Sequence, residues 1–395
     1  MTVLVFLSAC FFVQLKFHVA EYLIYGSQKT VIFDNYCTPD KAEIAAPAQK
    51  KNFVWIISES LEESYNQKEI FGEDLIAELT ALQDQGLSVP NWVQVDGTGW
   101  TIASLISSLY GVPRRIVWNN RAFSENSCVK ILRQSQSVFH VLKDQGYEIV
   151  FVQGDSLTFA GRNYLFENFP WVKALSRENL SKTPEYQAFI KKNKPYNWGV
   201  HDQLVFDNAE KEYERLAASK KPFVLVVQTL DTHGKNGFLV PDAERKYNDF
   251  RDVVREQSRM ISQFVKNVRA VNGSANTAIL IMGDHLAMQN TIQDMLERVP
   301  ERRVFNLWLN GSPQVHSFSS SPCSTFDFAP TILEFLGFRW KDHQFGIGVS
   351  CCSHDENLLK YYSINQYEEE FNKESEVYDQ IMLGEIANAG SALLR

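Results

Sequence analysis

The stretch TAILIMGDHLAM, residues 277–288, decides the fold, because an apolar run ends there abruptly in an acid and a histidine. Residues 278–283 carry no charge, which is typical of a strand buried on both faces in a parallel sheet. Asp284 and His285 follow at its C-terminal end, where open α/β sheets bind ligands. Carboxylate and imidazole are also ligand types of divalent metals. The stretch therefore indicates a metal site; the plainer alternative is a strand-to-loop turn with an Asp helix cap and an incidental histidine.

Further apolar runs have the same form. Strands are predicted at residues 52–58 (NFVWIIS), 148–153 (EIVFVQ) and 223–230 (FVLVVQTL). Helix-like segments lie between the runs, at residues 73–85, 137–145, 202–218 and 251–271. Such alternation predicts βαβ units, whose right-handed crossovers bring the strand C-termini to one edge of a parallel sheet. We therefore expect the polar residues that follow these strands to converge: Glu59, Asp231, His233, Asp284 and His285.

A hydroxyl nucleophile is available in GTGWTIASLISSLYGVP, residues 97–113. Its two first glycines suit a sharp turn, and the apolar residues after them have helical spacing, so Thr101 is expected at or near a helix N-cap. A threonine is favoured there for its capping hydrogen bond alone. The alternative is functional: a hydroxyl that touches a divalent cation loses its proton readily, and the helix N-terminus stabilises a phosphate.

Six motifs connect these residues in a familiar order: SESLE, GTGWTIAS, FVQGDSLTFAGRNYLFENF, YNWGVHDQLVFDNA, TLDTHGKNGF and GDHLAMQNT. Over residues 51–338 the chain resembles the alkaline-phosphatase/sulfatase superfamily. Within it, the chain looks most like the bacterial phosphoglycerol transferases that modify osmoregulated periplasmic glucans, close to the lipoteichoic acid synthases. The resemblance implies an α/β fold of the alkaline-phosphatase (sulfatase-type) kind, a sandwich with a central, mostly parallel sheet flanked by helices.

The same resemblance implies roles for individual residues. The implied metal ligands are Glu59, Thr101, Asp284 and His285. Thr101 is also the implied nucleophile, and His233 the implied general acid/base. The implied substrate-binding residues are Arg162 for phosphate, His233, and Trp198 with Asp202 from a W-G-x-x-D element. Two plainer expectations stand beside these: a structural salt bridge for Arg162, and a surface position for His201 next to Asp202.

The resemblance also implies the reaction and its setting. One divalent metal ion is expected, with Mn or Mg favoured over Zn because the ligands mix oxygen and nitrogen. The expected donor is phosphatidylglycerol, and the acceptor is a periplasmic glucan or related glycan, reached through a phospho-threonine intermediate. The active site is expected at the periplasmic face of a bacterial inner membrane, in contact with the membrane surface.

Other functions remain open on the sequence. A lipoteichoic acid synthase would share nearly every chemical residue. A phosphoethanolamine transferase also uses threonine, but the DHLAM and FAGRN strings fit it less well. A catalytically silent binding or scaffold member is a lesser alternative. Sulfatase activity is rejected, because the nearest approach to the C/S-x-P-x-R motif, at residues 37–41, ends in lysine and precedes the first strand. A net charge of −8 without a dense Lys/Arg face argues against nucleic-acid binding.

The chain of 395 residues, 45% of them apolar, is long enough for a large core. We predict an apolar membrane-proximal segment at 1–23, a linker at 24–50, the catalytic domain at 51–338 and a peripheral segment at 339–395. The first segment is interpreted as the end of a transmembrane region, with an amphipathic anchor as the alternative. Among the six cysteines, Cys128 has Cys323 or one of the vicinal pair Cys351 and Cys352 as possible partners.

Overall fold

The structure is a computed structural model that describes residues 28–39, 43–115, 131–193, 198–352 and 356–383. The predicted apolar segment 1–23 and the cysteines at 10 and 128 lie outside these ranges. Among the described residues, no helix is both long and apolar enough to cross a membrane. Four described cysteines (Cys37, Cys323, Cys351 and Cys352) carry free thiols.

A central sheet organises the described part of the chain. Its strands are β1 (Asn52–Ser58), β2 (Glu148–Gln153), β3 (Lys173–Leu175), β4 (Phe223–Gln228), β5 (Thr277–Gly283) and β6 (Asn306–Leu309). Within the described residues these strands form one sheet in the order β3-β2-β4-β1-β5-β6. All neighbours pair in parallel except β5 and β6, which are antiparallel. The predicted α/β class with a mostly parallel sheet is confirmed. A small hairpin follows, formed by β7 (Gln344–Phe345) and β8 (Gly348–Val349).

Helices connect the strands and cover both faces of the sheet. They are α1 (Lys68–Phe71), α2 (Ala77–Gln83), α3 (Thr101–Tyr110), α4 (Val138–Asp144), α5 (Arg162–Phe166), α6 (Arg177–Leu180), α7 (Pro184–Lys192), α8 (Asp202–Ala218), α9 (Phe250–Ala270), α10 (Gln293–Leu296), α11 (Phe328–Phe335), α12 (Leu358–Tyr361), α13 (Ile364–Phe371) and α14 (Glu376–Leu383). The predicted helix at 202–218 is confirmed at both ends, and the one at 251–271 is shifted by one residue. The helix predicted at 73–85 starts later, because the Asp74 carboxylate accepts the Ile76 N–H in a turn that delays it.

Two hydrophobic clusters lie on opposite faces of the sheet and explain the uncharged strands. Along β1, Phe53, Trp55 and Ile57 belong to one cluster, and Val54 and Ile56 belong to the other. Helices α3, α4 and α11 pack on the first face, and α2, α8 and α9 on the second. A strand covered on both sides has no position for a charge, so continuous apolar runs are what this sheet requires.

The first cluster extends beyond the predicted catalytic domain on both sides. Ile32, Phe33 and Ile44 contribute from the expected linker, and Tyr367 and Phe371 contribute from the expected peripheral segment. Backbone hydrogen bonds join the two flanks to each other: Thr30 N–H to Glu374 O at 3.0 Å, Cys37 N–H to Gly346 O at 3.0 Å, and Ala45 N–H to Arg339 O at 2.7 Å. Packing therefore crosses both predicted boundaries, which themselves stay predictions.

Gly283, the last residue of β5, should not tolerate a side chain. A Cβ atom there would lie 2.0 Å from the Leu61 carbonyl oxygen and 2.7 Å from a Val304 methyl group. We expect Gly283→Ala to lower the free energy of unfolding by about 3 kcal/mol, because backbone must shift to admit the methyl group. Urea denaturation measures this loss. Gly146→Ala is the control, since that site has left-handed φ but open space, and should cost about 1 kcal/mol. Equal losses would contradict the steric argument.

Candidate active site and metal centre

The parallel register of β1 and β5 brings two acids together. Ser58, the last residue of β1, lies opposite Gly283, the last residue of β5. Glu59 and Asp284 are the residues that directly follow the two strands. The Asp284 N–H continues the ladder by donating to the Ser58 carbonyl at 3.0 Å. Parallel neighbours end at the same edge of a sheet, so both carboxylates emerge side by side there.

Glu59, Asp284 and His285 form a buried cluster, and each is at most 3% exposed. One potential ligand atom from each lies within 4.8 Å of the others. His285 Nε2 is 3.4 Å from Glu59 Oε1 and 3.4 Å from Asp284 Oδ2. Asp284 Oδ2 is fully buried and has no hydrogen-bond partner among the described residues. A buried carboxylate oxygen without a donor is costly unless a cation satisfies it, so these residues fit a divalent metal.

The imidazole of His285 is oriented for this role. Its Nδ1 lies 2.8 Å from the Leu286 carbonyl oxygen. A carbonyl can only accept, so Nδ1 carries the proton and donates, which leaves the Nε2 lone pair facing Glu59 and Asp284. Metal-binding histidines are commonly fixed through the second ring nitrogen in this way.

Ser60 holds the two carboxylates in place and was missed by the sequence analysis. Its N–H donates to Asp284 Oδ1 at 2.8 Å, and its hydroxyl donates to Glu59 Oε1 at 2.8 Å. These bonds require a left-handed backbone with φ of 55° at a non-glycine residue, which costs about 1–2 kcal/mol. Strain of this kind concentrates at functional sites. Its sequence signal is weak, because the serine is one of two in SESLE.

Further polar groups hold the backbone of Glu59. The Gln257 amide on α9 donates to the Glu59 carbonyl at 2.9 Å, and the Thr232 hydroxyl donates to the same oxygen at 2.5 Å. The Glu59 N–H donates to the Thr229 hydroxyl at 2.9 Å. Thr232 belongs to the DTH triplet, and Gln257 is a polar residue on the inner face of a helix. A polar residue at a position of the apolar helix face is the sequence signal that could have indicated Gln257.

Crowding of charge shifts the ionisation of the cluster. Burial and the adjacent Glu59 raise the pKa of Asp284 to about 7. Burial lowers the pKa of His285, but Asp284 and Glu59 outweigh it and the net shift is upward. Protons therefore compete with a cation for both ligands, and for Asp284 they do so near neutral pH.

Thr101 lies at the beginning of α3, as predicted, and Trp100 is the N-cap. The Thr101 hydroxyl does not cap the helix. It donates instead to Glu59 Oε2 at 3.2 Å, and the residue is partly exposed. The hydroxyl thus reaches the acid cluster from a helix N-terminus, where the dipole favours negative charge.

His233 and Trp198 form an aromatic cluster with Phe159, a residue absent from the predicted site. The ring centroids of Trp198 and His233 are 4.7 Å apart, and those of Phe159 and Trp198 are 5.4 Å apart. Trp198 is 44% exposed and Phe159 39% exposed. Large exposed aromatic groups suit contact with a ligand. His233 does not join the three-residue acid and imidazole cluster found among the described residues.

Arg162 is 2% exposed and pairs with Asp155 through both terminal nitrogens. It also donates to the Gln153 side chain at 3.0 Å, and its Nε is buried without a partner among the described residues. A salt bridge is therefore present, and phosphate binding by Arg162 stays a prediction.

Asp202 and Asp231 cap each other's backbone. The Asp202 carboxylate accepts the N–H groups of Leu230 at 2.7 Å and Asp231 at 2.9 Å. The Asp231 carboxylate accepts the Asp202 N–H at 3.1 Å and contacts His201 Nδ1 at 3.1 Å. Asp231 therefore does not belong to the three-residue acid and imidazole cluster among the described residues, whereas the expected convergence of the strand ends assumed no contact. The surface position expected for His201 is wrong, since the residue is 7% exposed and packs on Asp231.

Sequence comparisons find matches that cover most of the chain. A family model described as Sulfatase matches residues 51–338. The chain is 31% identical over 317 residues to phosphoglycerol transferase I of Escherichia coli O6:K15:H31, covering 78% of this chain and 40% of that protein. The chain thus spans about two fifths of the length of the curated relatives it matches.

Solved structures share the fold at low sequence identity. The lipoteichoic acid synthase LtaP of Listeria monocytogenes superposes with a TM-score of 0.60 at 13% identity, over 83% of this chain and 81% of that one. The phosphoglycerol transferase GacH of Streptococcus pyogenes, solved with sn-glycerol-1-phosphate, gives 0.54 at 12% identity, over 87% and 89%. An alkaline-phosphatase-superfamily protein of Vibrio parahaemolyticus gives 0.58 at 18% identity, over 78% and 74%. The predicted alkaline-phosphatase-like fold is confirmed.

Divalent metal should stabilise the protein. We expect Mn²⁺ at a hundredfold excess over its Kd to raise the free energy of unfolding by about 2.7 kcal/mol, read from the thermal midpoint. The affinity should rise from about pH 6 to about pH 8, because the proton that leaves Asp284 as pH passes its pKa of about 7 no longer competes. Glu59→Gln should abolish the effect. An unchanged shift in that variant would contradict the assigned ligands.

Removal of Arg162 should destabilise the fold whatever its role toward substrate. Arg162→Ala leaves the buried Asp155 carboxylate without its partner, so we expect a loss of about 3–5 kcal/mol in urea denaturation. Arg133→Ala is the matched control, because its pair with Glu167 is exposed and should contribute about 0–1 kcal/mol. A loss at Arg162 no larger than the control would show that the pair is not stabilising.

Proposed function

Because the chain belongs to the sulfatase family, we propose that residues 51–338 are the catalytic part of a metal-dependent phosphoglycerol transferase. The observation that carries the proposal is the Thr101 hydroxyl, which reaches a buried acid and imidazole cluster at the end of a parallel sheet. Family membership does not bring sulfatase chemistry with it, because a hydroxyl of threonine occupies the nucleophile position in this assignment. The identity to phosphoglycerol transferase I supports the transferred group.

The proposed site holds one divalent metal, with Mn or Mg favoured over Zn. Glu59, Asp284 and His285 supply two oxygen donors and one nitrogen donor, and Thr101 adds its hydroxyl. Such mixed ligands suit Mn at least as well as Zn. When bound, the metal would lower the pKa of the Thr101 hydroxyl and offset charge on the phosphoryl oxygens.

In the first proposed step, the Thr101 hydroxyl releases its proton to water, and Thr101 Oγ1 attacks the phosphorus of phosphatidylglycerol. The bond from phosphorus to the diacylglycerol oxygen breaks, and phosphoglycerol stays on Thr101 as a phosphodiester. His233 is the proposed acid that protonates the departing oxygen. Its ring lies among exposed aromatic groups at the surface, where a leaving group can depart.

In the second proposed step, a hydroxyl of the acceptor attacks the same phosphorus. The bond to Thr101 Oγ1 breaks, the threonine regains a proton from water, and phosphoglycerol passes to the acceptor. The same His233, now without its proton, is the proposed base. The helix dipole at the beginning of α3 favours the negative charge that builds up at Thr101 in both steps.

The proposed donor is phosphatidylglycerol, and the proposed acceptor is a glucan or related glycan at the periplasmic face of the inner membrane. The curated relatives named phosphoglycerol transferase I support the transferred phosphoglycerol group, whereas the donor lipid, the acceptor and the location rest on the resemblance of the motifs. Lipoteichoic acid synthesis would use nearly the same side chains, and phosphoethanolamine transfer also uses a threonine, so the donor lipid and the acceptor separate the three activities.

Thr101→Ala should abolish formation of the covalent intermediate and keep the fold. We expect intact-mass spectrometry of the protein incubated with phosphatidylglycerol and Mn²⁺ to show a gain of one phosphoglycerol, which the variant lacks. Thr183→Ala is the control, because that threonine caps a distant helix; its adduct should match the unaltered protein's.

Each other result has a defined meaning. An adduct on the Thr101→Ala variant would remove Thr101 as nucleophile. An adduct formed from phosphatidylethanolamine but not from phosphatidylglycerol would assign the chain to phosphoethanolamine transfer. The absence of an adduct with either lipid would favour the catalytically silent binding role.

A further inference from the structure

We propose that Glu62, held by Arg302, is a positioning residue that fixes the tautomer of His285 through a single peptide group and so strengthens metal binding. The inference rests on the metal site of the proposed function. It concerns two residues outside the three-residue acid and imidazole cluster found among the described residues.

Glu62 is buried completely and has three hydrogen-bond donors around it. Its carboxylate accepts the Ala287 N–H at 2.8 Å and Arg302 Nε at 3.0 Å, and it also accepts a terminal nitrogen of Arg302. That terminal nitrogen donates in addition to the Ala287 carbonyl at 2.8 Å. Glu62 therefore holds the N–H group of Ala287, and Arg302 holds the carbonyl group of the same residue, two positions after His285.

The N–H that Glu62 holds and the carbonyl that His285 uses belong to one peptide group. The Leu286 carbonyl and the Ala287 N–H are joined by one planar bond, and in a trans peptide they point in opposite directions. Glu62 binds the N–H end, and His285 Nδ1 lies 2.8 Å from the carbonyl end. A fixed N–H therefore fixes the direction of the carbonyl, and the carbonyl fixes which ring nitrogen is protonated.

The charge of Glu62 adds to this orientation. A carboxylate at the N–H end polarises the peptide group, so its carbonyl becomes a stronger acceptor. A stronger acceptor at Nδ1–H makes Nε2 a better donor to a metal, as outer partners of metal-binding histidines do. Arg302 thus holds Glu62, Glu62 holds the peptide group between Leu286 and Ala287, and that peptide group orients His285.

Gln94 provides a second hold on the same loop. Its side-chain oxygen accepts the Leu286 N–H at 2.7 Å. Because that bond does not involve Glu62, the loop keeps one anchor when the carboxylate is altered. Glu62→Gln preserves the shape and removes the charge, so it tests the relay without removing the whole support.

The test is a Mn²⁺ titration of the purified protein against a competing chelator dye. We expect Glu62→Gln to weaken Mn²⁺ affinity about tenfold or more, the scale found for outer partners of metal ligands. Arg302→Lys should weaken it in the same direction, because an ammonium group cannot make the paired contacts of a guanidinium. If Glu62→Gln fails to fold, Arg302→Lys carries the test.

Asp252→Asn is the matched control. Its carboxylate is also buried, accepts three backbone N–H groups of residues 246–248 and pairs with Arg255. The change should lower the free energy of unfolding and leave Mn²⁺ affinity within about twofold, because that clamp lies on another loop. If Glu62 had only a structural role, Glu62→Gln would lose no more Mn²⁺ affinity than Asp252→Asn.

Two results would overturn the inference. Folded Glu62→Gln and Arg302→Lys proteins with unaltered Mn²⁺ affinity would show that the peptide relay does not act on His285. No Mn²⁺ binding by the unaltered protein would overturn both the relay and the proposed metal site. The first failure leaves the phosphoglycerol adduct of the unaltered protein intact, and the second does not, so the two are distinguishable.

Discussion

The pairing of β1 with β5 is the constraint on which the site depends. With Ser58 opposite Gly283, the two strands deliver Glu59 and Asp284 to neighbouring positions, and the Asp284 N–H bonds to the Ser58 carbonyl. A slip of one residue would turn one carboxylate toward the other face of the sheet. The apolar contacts that cover both faces of β1 and β5 therefore position the acids as well as stabilise the fold.

The elements that sequence predicted well are those with a local signal. Uncharged runs predicted the strands. Glu59, Asp284 and His285 follow two of these strands, and their proximity could be predicted because a parallel sheet collects strand ends at one edge. The direction of a loop side chain has no such local signal. Asp231 turns toward His201 and the Asp202 N–H, a choice that depends on where α8 begins in space. For the same reason Ser60 and Phe159 were not predicted.

Residues outside the proposed ligand set also hold the cluster in position, in addition to the sheet. Ser60 bonds to both acids, and Gln257 with Thr232 fixes the carbonyl of Glu59. These contacts offset part of the repulsion between neighbouring buried carboxylates, and they keep the acids in position before any cation arrives. Preorganisation of this kind lowers the entropy that binding must otherwise remove.

The packing of both flanks into the first hydrophobic cluster separates two definitions of a domain. The family relationship covers residues 51–338, yet Phe33, Tyr367 and Phe371 complete the core beneath it. The segment that the family model matches is therefore smaller than the part of the chain that packs around this core. A recombinant piece cut at the shared boundaries would keep every proposed ligand and expose an apolar surface, and surfaces of that kind favour aggregation.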